Sequence, residues 1–174
     1  ALCDAGTGIG KTYAYLVAGV VFRRYRSRAG LPNQPLLIST SSIALQGAII
    51  HDYLPFLSKV MMADGMLDSP LRAVLRKGKS HYVCDARLMK RLQTANLDRK
   101  NPLAKAALLS MRDHLDLDMA PHLSGYDRER ICVPPTCDCG KTECRYLCYL
   151  DVCASERYAI QVCNHNLLLA DAIH

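Results

Sequence analysis

The sequence lacks the features that mark membrane and secreted proteins. No apolar run approaches the roughly 20 residues that a spanning helix needs, and no signal peptide opens the chain. An even set of cysteines is also missing. The chain has nine, and an odd count without a secretory signal argues against a disulfide framework. A reducing compartment, the cytoplasm, and a metal site fit better. Repeats and low-complexity tracts do not occur. Acidic residues are scarce in one stretch: between Arg72 and Lys100, nine basic residues (Arg72, Arg76, Lys77, Lys79, Arg87, Lys90, Arg91, Arg99 and Lys100) face only Asp85 and Asp98. The whole chain carries a formal charge of +6, so the remainder is close to neutral. Such a local field suits a polyanion such as nucleic acid, while a solvated helix face would use the same residues.

What is present is ordinary globular material. The 174 residues are half hydrophobic, enough for one domain carrying a small insertion. The first residue is Ala1, and a motif follows almost at once, so the chain is expected to start inside a domain. Ala1 to Cys3 reads as the end of a strand, followed by a glycine-rich turn. A helix is expected from Lys11 to about Arg26, with Tyr15, Leu16, Gly19 and Val20 on its apolar face and arginines at the end that suits its dipole. Leu36-Leu37-Ile38 reads as a buried strand of a parallel sheet. Ser39 to Ser42 supply cap hydroxyls for a helix through Ile50 that Pro55 is expected to break. Further strands are expected at Leu71–Leu75 and Ala159–Cys163, and helices at Leu103–Leu115, Tyr146–Arg157 and from Leu167. The outline is an α/β fold in three stretches: 1–75, an insertion over 76–157 of mainly helix and loop, and a return over 158–174.

The most informative segment is Ala5-Gly6-Thr7-Gly8-Ile9-Gly10-Lys11-Thr12. It fits the phosphate-loop pattern, with Ala5 where the first glycine often stands. Gly6, Gly8 and Gly10 let the backbone turn its N–H groups inward around a phosphate. The following helix points its positive end at the same anion. Lys11 is placed for the β- and γ-phosphates of ATP, and the Thr12 hydroxyl for a magnesium ion.

Four stretches together resemble one family. Asp4 to Thr12 resembles the first helicase motif of the superfamily-two DinG/XPD group. Ile38-Ser39-Thr40-Ser41-Ser42-Ile43-Ala44-Leu45-Gln46 is similar to that group's next motif. Arg76-Lys77-Gly78-Lys79-Ser80-His81-Tyr82-Val83-Cys84 is similar to the segment ending in its first cluster cysteine. Val162-Cys163-Asn164-His165-Asn166-Leu167-Leu168-Leu169-Ala170-Asp171 resembles the strand and turn after its cluster domain. The likeness is to the bacterial DinG-like branch. It implies a RecA-like ATPase domain with an inserted iron–sulphur domain, part of a monomeric motor that moves five-prime to three-prime along single-stranded and branched DNA. The acidic metal-and-water motif and the second motor domain would follow His174, so this stretch alone is expected to lack activity.

The resemblance also implies one isolated cluster cysteine and three downstream. Cys84 is the isolated one; Cys139, Cys144 and Cys148 are the expected partners on a four-iron four-sulphur cluster, with Cys132, Cys137 and Cys153 as rivals. A zinc site on Cys132, Cys137, Cys139 and Cys144 is the chemical alternative. Cys3 and Cys163 lie in apolar strands and read as core residues. Thr40, Ser41 and Gln46, where a strand meets a helix, and Arg76, Lys77, Lys79 and Tyr82, basic residues with an aromatic, are the expected DNA contacts. His165 reads as part of a structural turn. A P-loop module that binds nucleic acid without being a motor, and carries zinc, is the other class of function left open.

Overall fold

A computed structural model of the chain describes residues 6, 8–94, 102–137, 139–140 and 144–173, with 171–173 described by backbone alone. The expected first strand, the phosphate-loop residues Asp4, Ala5 and Thr7, and the charges of Asp98, Arg99 and Lys100 lie outside the described residues. In chain order the elements are α1 (Lys11–Arg28), β1 (Leu36–Ser39), α2 (Ile43–Ala48), α3 (Leu54–Ala63), β2 (Ala73–Leu75), α4 (Asp85–Thr94), α5 (Pro102–Ser110), α6 (Gly125–Ile131), α7 (Arg145–Ala154), β3 (Ile160–Cys163) and α8 (His165–Ile173). Short turns of tighter or wider helix lie at Ile49–Tyr53, Lys79–His81 and Leu117–Met119. The fold is α/β. Its contacts divide it into two compact units, Ala1–Arg76 with Cys153–His174, and Lys77–Val152.

The first unit is built on a three-stranded parallel sheet in the order β1-β3-β2. The middle strand is the last in sequence, and all four of its residues are buried. Parallel neighbours cannot be joined by hairpins, so helical connections separate them. Leu16 and Val20 of α1, Ile38 of β1, Ile49, Leu54, Leu57 and Met61 of the α2–α3 arm, and Ile160 and Val162 of β3 form one core. Gly19 lets α1 approach β1, since a Cβ there would sit 2.1 Å from a methyl of Leu36. Tyr15, expected on the apolar face, is instead 38% exposed; the buried stripe is Leu16, Gly19 and Val20. Pro55 does not break the helix. The chain passes from α2 through a π-helical turn at Ile49–Tyr53 into α3, where Pro55 stands in the first turn. The wider turn leaves room for the proline ring, which would clash with the preceding carbonyl in a regular α-helix.

The second unit has its own apolar interior. Val83, Leu88, Leu108, Met111, Leu117, Leu123 and Ile131 are among its buried residues. Tyr82, Cys84, Val133 and Tyr146 form a second, smaller cluster. Residues 82–84 run extended between two other segments: Val83 N–H donates to Leu115 (2.9 Å), Cys84 N–H to Ile131 (2.7 Å), and Val133 N–H to Tyr82 (2.8 Å). The expected helix over Leu103–Leu115 ends at Ser110. Leu115 serves instead as an acceptor for that extended segment.

Candidate nucleotide and metal sites

The phosphate loop is assembled by backbone conformation. Gly8 and Gly10 have φ of 78° and 81°, the left-handed region that residues with a Cβ rarely occupy. Gly10 immediately precedes α1, whose first turn has neither a side-chain cap nor an acidic residue. Its leading N–H groups and the positive end of its dipole are therefore available to an anion. Lys11 Nζ donates to the Gly6 carbonyl at 2.9 Å, arching back over the loop. Thr12 follows on the first turn and is half-buried.

The cysteines fall into distinct environments. Cys163 is buried in β3 and Cys153 at the end of α7. Cys84 is buried; Cys137, Cys139 and Cys148 are exposed; Cys132 and Cys144 are intermediate. Cys139 reports its neighbours electrostatically. A hydrogen bond and charge interaction with Cys137 come first, then slight desolvation, then Cys84 and Cys144, and together they push its thiol up to about 11. Thiols that oppose one another's ionisation in this way are a soft donor set that a metal would relieve. The sulphurs are neighbours without converging on a point: among the described residues, no three His, Cys, Asp or Glu side chains are placed to hold one metal ion. Cys148 lies on α7 one helical turn beyond Cys144, to whose carbonyl its N–H donates at 3.0 Å.

Two side chains missed in the sequence brace this group. Arg145 binds both carboxylate oxygens of Asp85, with Nε–Oδ1 at 2.8 Å, Nε–Oδ2 at 3.0 Å and Nη2–Oδ1 at 2.5 Å. It also donates to the carbonyls of Arg112 and Met111 at 2.9 and 3.1 Å. Asp85 and Arg145 directly follow Cys84 and Cys144, so their pairing brings those cysteines' backbones together. Their adjacency to candidate ligands was the available signal. For Cys137 it was the Cys-x-Cys spacing with Cys139.

No family model matches the chain, but curated relatives do. The chain is 35% identical to an ATP-dependent DNA helicase DinG of Photobacterium profundum over 85 residues, 49% of this chain and 10% of that protein. It is 32% identical to a 3'-5' exonuclease DinG of Bacillus subtilis over 109 residues, 63% of this chain and 10% of the relative. The ATP-dependent DNA helicase YoaA of Haemophilus influenzae is 32% identical over 102 residues, 59% of this chain and 13% of that protein. Over these stretches the chain is similar to DinG-like helicases. The matched segment spans about a tenth of the length of these relatives.

The residues expected to touch DNA in this DinG-like segment occupy unequal positions. In the sheet unit, Ser41 is exposed beyond the end of β1. Thr40 Oγ1 accepts from Ser42 N–H at 3.2 Å, and Ser42 caps α2 through Leu45 N–H. Gln46 is buried, and its amide donates to the Thr40 carbonyl at 2.9 Å. It holds the strand end in place rather than projecting to a ligand. Arg76 Nη1 donates to Gln161 at 3.3 Å. His165 opens α8 and pairs through Nδ1 with the Ser39 hydroxyl at 2.7 Å, in keeping with a structural turn.

In the cysteine-rich unit, Lys77 Nζ is held by Asp116 at 2.6 Å and Asp118 at 2.8 Å. Partial burial opposes its charge, yet these carboxylates raise its pKa. Asp118 also accepts from Arg128 and His81. Partial burial opposes its ionisation too, but bonds from Lys77, Arg128 and His81 outweigh that and hold the carboxyl well below the usual range. Lys79 Nζ donates to the Pro135 carbonyl at 3.2 Å. Tyr82 is 3% exposed and packs beside Tyr146 and Tyr149 with centroids 5.2 and 5.1 Å away. Its ring contributes to the core, which corrects the expectation of a base-stacking role. The cause is the alternation of an extended segment that turns Tyr82 and Cys84 into one cluster and Val83 into another.

Proposed function

We propose that this chain is part of the ATP-binding motor domain of a cytoplasmic DNA helicase, with a RecA-like core formed by the sheet unit and an inserted iron–sulphur unit spanning residues 77–152. The activity is ATP hydrolysis coupled to five-prime to three-prime movement along single-stranded DNA and the parting of branched DNA. The observation that carries this reading is the phosphate loop: left-handed Gly8 and Gly10 lead into an uncapped helix that begins with Lys11 and Thr12. Backbone N–H groups of Gly6, Gly8, Ile9 and Gly10 would cradle the β-phosphate, and Ala5 and Thr7, outside the described residues, are proposed to take part. Lys11 would meet the charge that develops on the γ-phosphoryl oxygens, and Thr12 would hold the magnesium ion that neutralises it.

Cys84, Cys139, Cys144 and Cys148 are the proposed cluster ligands. A four-iron four-sulphur cluster would tie the start of the unit to its last helix and stiffen the loop between. Cys137 is the rival for the fourth position, on the strength of its hydrogen bond to Cys139. Zinc on Cys132, Cys137, Cys139 and Cys144 is the second reading, favoured by the same contact. The two readings differ in what they ask of the sulphurs: cluster cysteines bind separate irons, whereas zinc draws four sulphurs to about 2.3 Å from a single ion.

The decisive experiment uses the intact protein. Lys11→Ala is expected to lower DNA-stimulated ATP hydrolysis by orders of magnitude, and turnover near that of wild type would remove the motor reading.

A further inference from the structure

The basic and aromatic character sought around Tyr82 occurs elsewhere in the cysteine-rich unit. Arg87, Lys90, Arg91 and Thr94 recur at helical spacing on one face of α4. Together with Glu129 and Arg130 of α6 they line an open cleft of about 470 Å³. Tyr126, also on α6, is 57% exposed. Its ring centre lies 4.1 Å from the Arg130 guanidinium and 5.2 Å from that of Arg91.

The parts are braced from beneath. Asp127 is buried, pairs with Arg91 Nε at 2.6 Å and accepts from the Ser124 hydroxyl at 2.7 Å. Arg91 is therefore a strut beside the tyrosine. Arg87 gives one nitrogen to the Cys132 carbonyl at 2.9 Å, which leaves most of its five-donor fork for another acceptor. Arg87, Lys90 and Arg130 are exposed.

We propose that the cleft between α4 and α6 is a single-stranded DNA contact, with Arg87, Lys90 and Arg130 on successive phosphates and one base stacked against Tyr126. Arg87 and Lys90 stand about 4.5 Å apart along α4 and Arg130 stands on α6, so three cations on two helices can meet more than one phosphate. An acidic peptide would use the charges but not the ring. A duplex keeps its bases stacked inside, whereas an unpaired strand can offer one to an exposed aromatic flanked by arginine.

This proposal deepens the motor reading and rests on it, so its test has a separate readout. In the intact protein, binding of a fluorescent oligothymidine is measured against salt. Arg87→Ala/Lys90→Ala/Arg130→Ala is expected to lower the slope of log affinity against log salt by about 2, at about 0.7 for each lost contact. Tyr126→Leu should weaken binding about tenfold at fixed salt and leave the slope unchanged, while Tyr126→Phe binds as wild type. An oligonucleotide carrying photoreactive iodouracil should cross-link to Tyr126. The charge reversal Lys90→Glu/Arg130→Glu, at two exposed positions, should lower the slope by at least about 1.4, with the fold checked by circular dichroism.

Slopes equal to wild type in both charge variants would overturn the proposal. So would losses confined to duplex DNA, or competition by a polyglutamate peptide with no cross-link at Tyr126. If the slope falls but Lys11→Ala leaves ATP hydrolysis intact, the cleft stands and the motor reading falls. If Lys11→Ala is inactive and the slope is unchanged, the reverse holds.

Discussion

The two units of this chain fix their functional groups by different means. In the sheet unit the work is done by backbone: left-handed glycines, an uncapped helix start, and strand ends pinned by Gln46 and Ser39–His165. In the cysteine-rich unit it is done by charged side chains: Lys77 and Arg128 on Asp118, Arg91 on Asp127, Arg145 on Asp85. A site made of backbone conformation belongs to a contiguous stretch and tolerates side-chain change around it. A site made of distant ion pairs depends on a few particular side chains and on pH.

The sharpest way to break the comparison is to remove one cysteine. Cys84→Ser in protein purified without oxygen should abolish bound iron and its broad visible absorption, while nucleotide still binds at Lys11 and Thr12. Loss of iron from Cys137→Ser but not from Cys148→Ser would reassign the fourth ligand. Stoichiometric zinc and no iron would replace the cluster with the second reading. The buried interior of this unit implies that the metal-free variant stays folded apart from its cysteine loop, so circular dichroism should change little.

The next effect is on metal uptake. The Cys139 thiol is pushed up to about 11, so near neutral pH it holds its proton and the metal must displace it. Apparent affinity of the metal-free protein should therefore rise with pH, by about tenfold per unit for each proton released. A pH-independent affinity would mean that the thiols are already ionised in that protein.

Arg145→Ala tests the brace. It removes the Asp85 pair and the two carbonyl contacts, at a cost of about 1–2 kcal/mol given the partial exposure of the pair. Iron should be lost faster to a chelator, and Arg145→Lys should restore little because one ammonium cannot make the fork. Equal rates of loss in all three proteins would show that the pair does not position the ligands.

Asp118→Asn should have the smallest effect, about 1 kcal/mol or less near neutral pH, since the carboxylate is more than a third exposed and screened. A carboxyl whose pKa is lowered on folding stabilises above its unfolded value and loses that contribution as pH falls. The gap between wild type and variant in urea unfolding should thus narrow below about pH 4. A gap that stays constant with pH would assign the loss to packing.

Much of the first unit was legible because its signals are local. The glycine spacing of the phosphate loop, the apolar runs at Leu36–Ile38 and Ala159–Cys163, and the hydroxyls before α2 each specify their own backbone. Pro55 was misread because a π-helical turn accommodates it, a tertiary adjustment that no nearby residue announces. Tyr15 turned outward because Leu16, Gly19 and Val20 already fill the stripe facing the sheet. The second unit was less legible. Its pairs join Lys77 to Asp118, Asp85 to Arg145 and Arg91 to Asp127, and a basic residue looks the same in sequence whether a carboxylate or a phosphate is its partner. Tyr82 was read as a ligand contact because it stands among lysines, but the extended segment it occupies turns it into the interior.

The strand order carries a consequence for how the protein is made. β1 and β2 leave the ribosome first, and neither pairs with the other. Both wait for β3, encoded beyond the whole cysteine-rich unit. Until Ile160–Cys163 emerges, each lacks the neighbour it has in the sheet among the described residues, and an unpaired strand edge is the condition under which nascent chains aggregate. Translation that stalls within residues 77–152 would leave the nucleotide half unfinished, so a messenger truncated there should yield protein that needs chaperones rather than a smaller soluble domain.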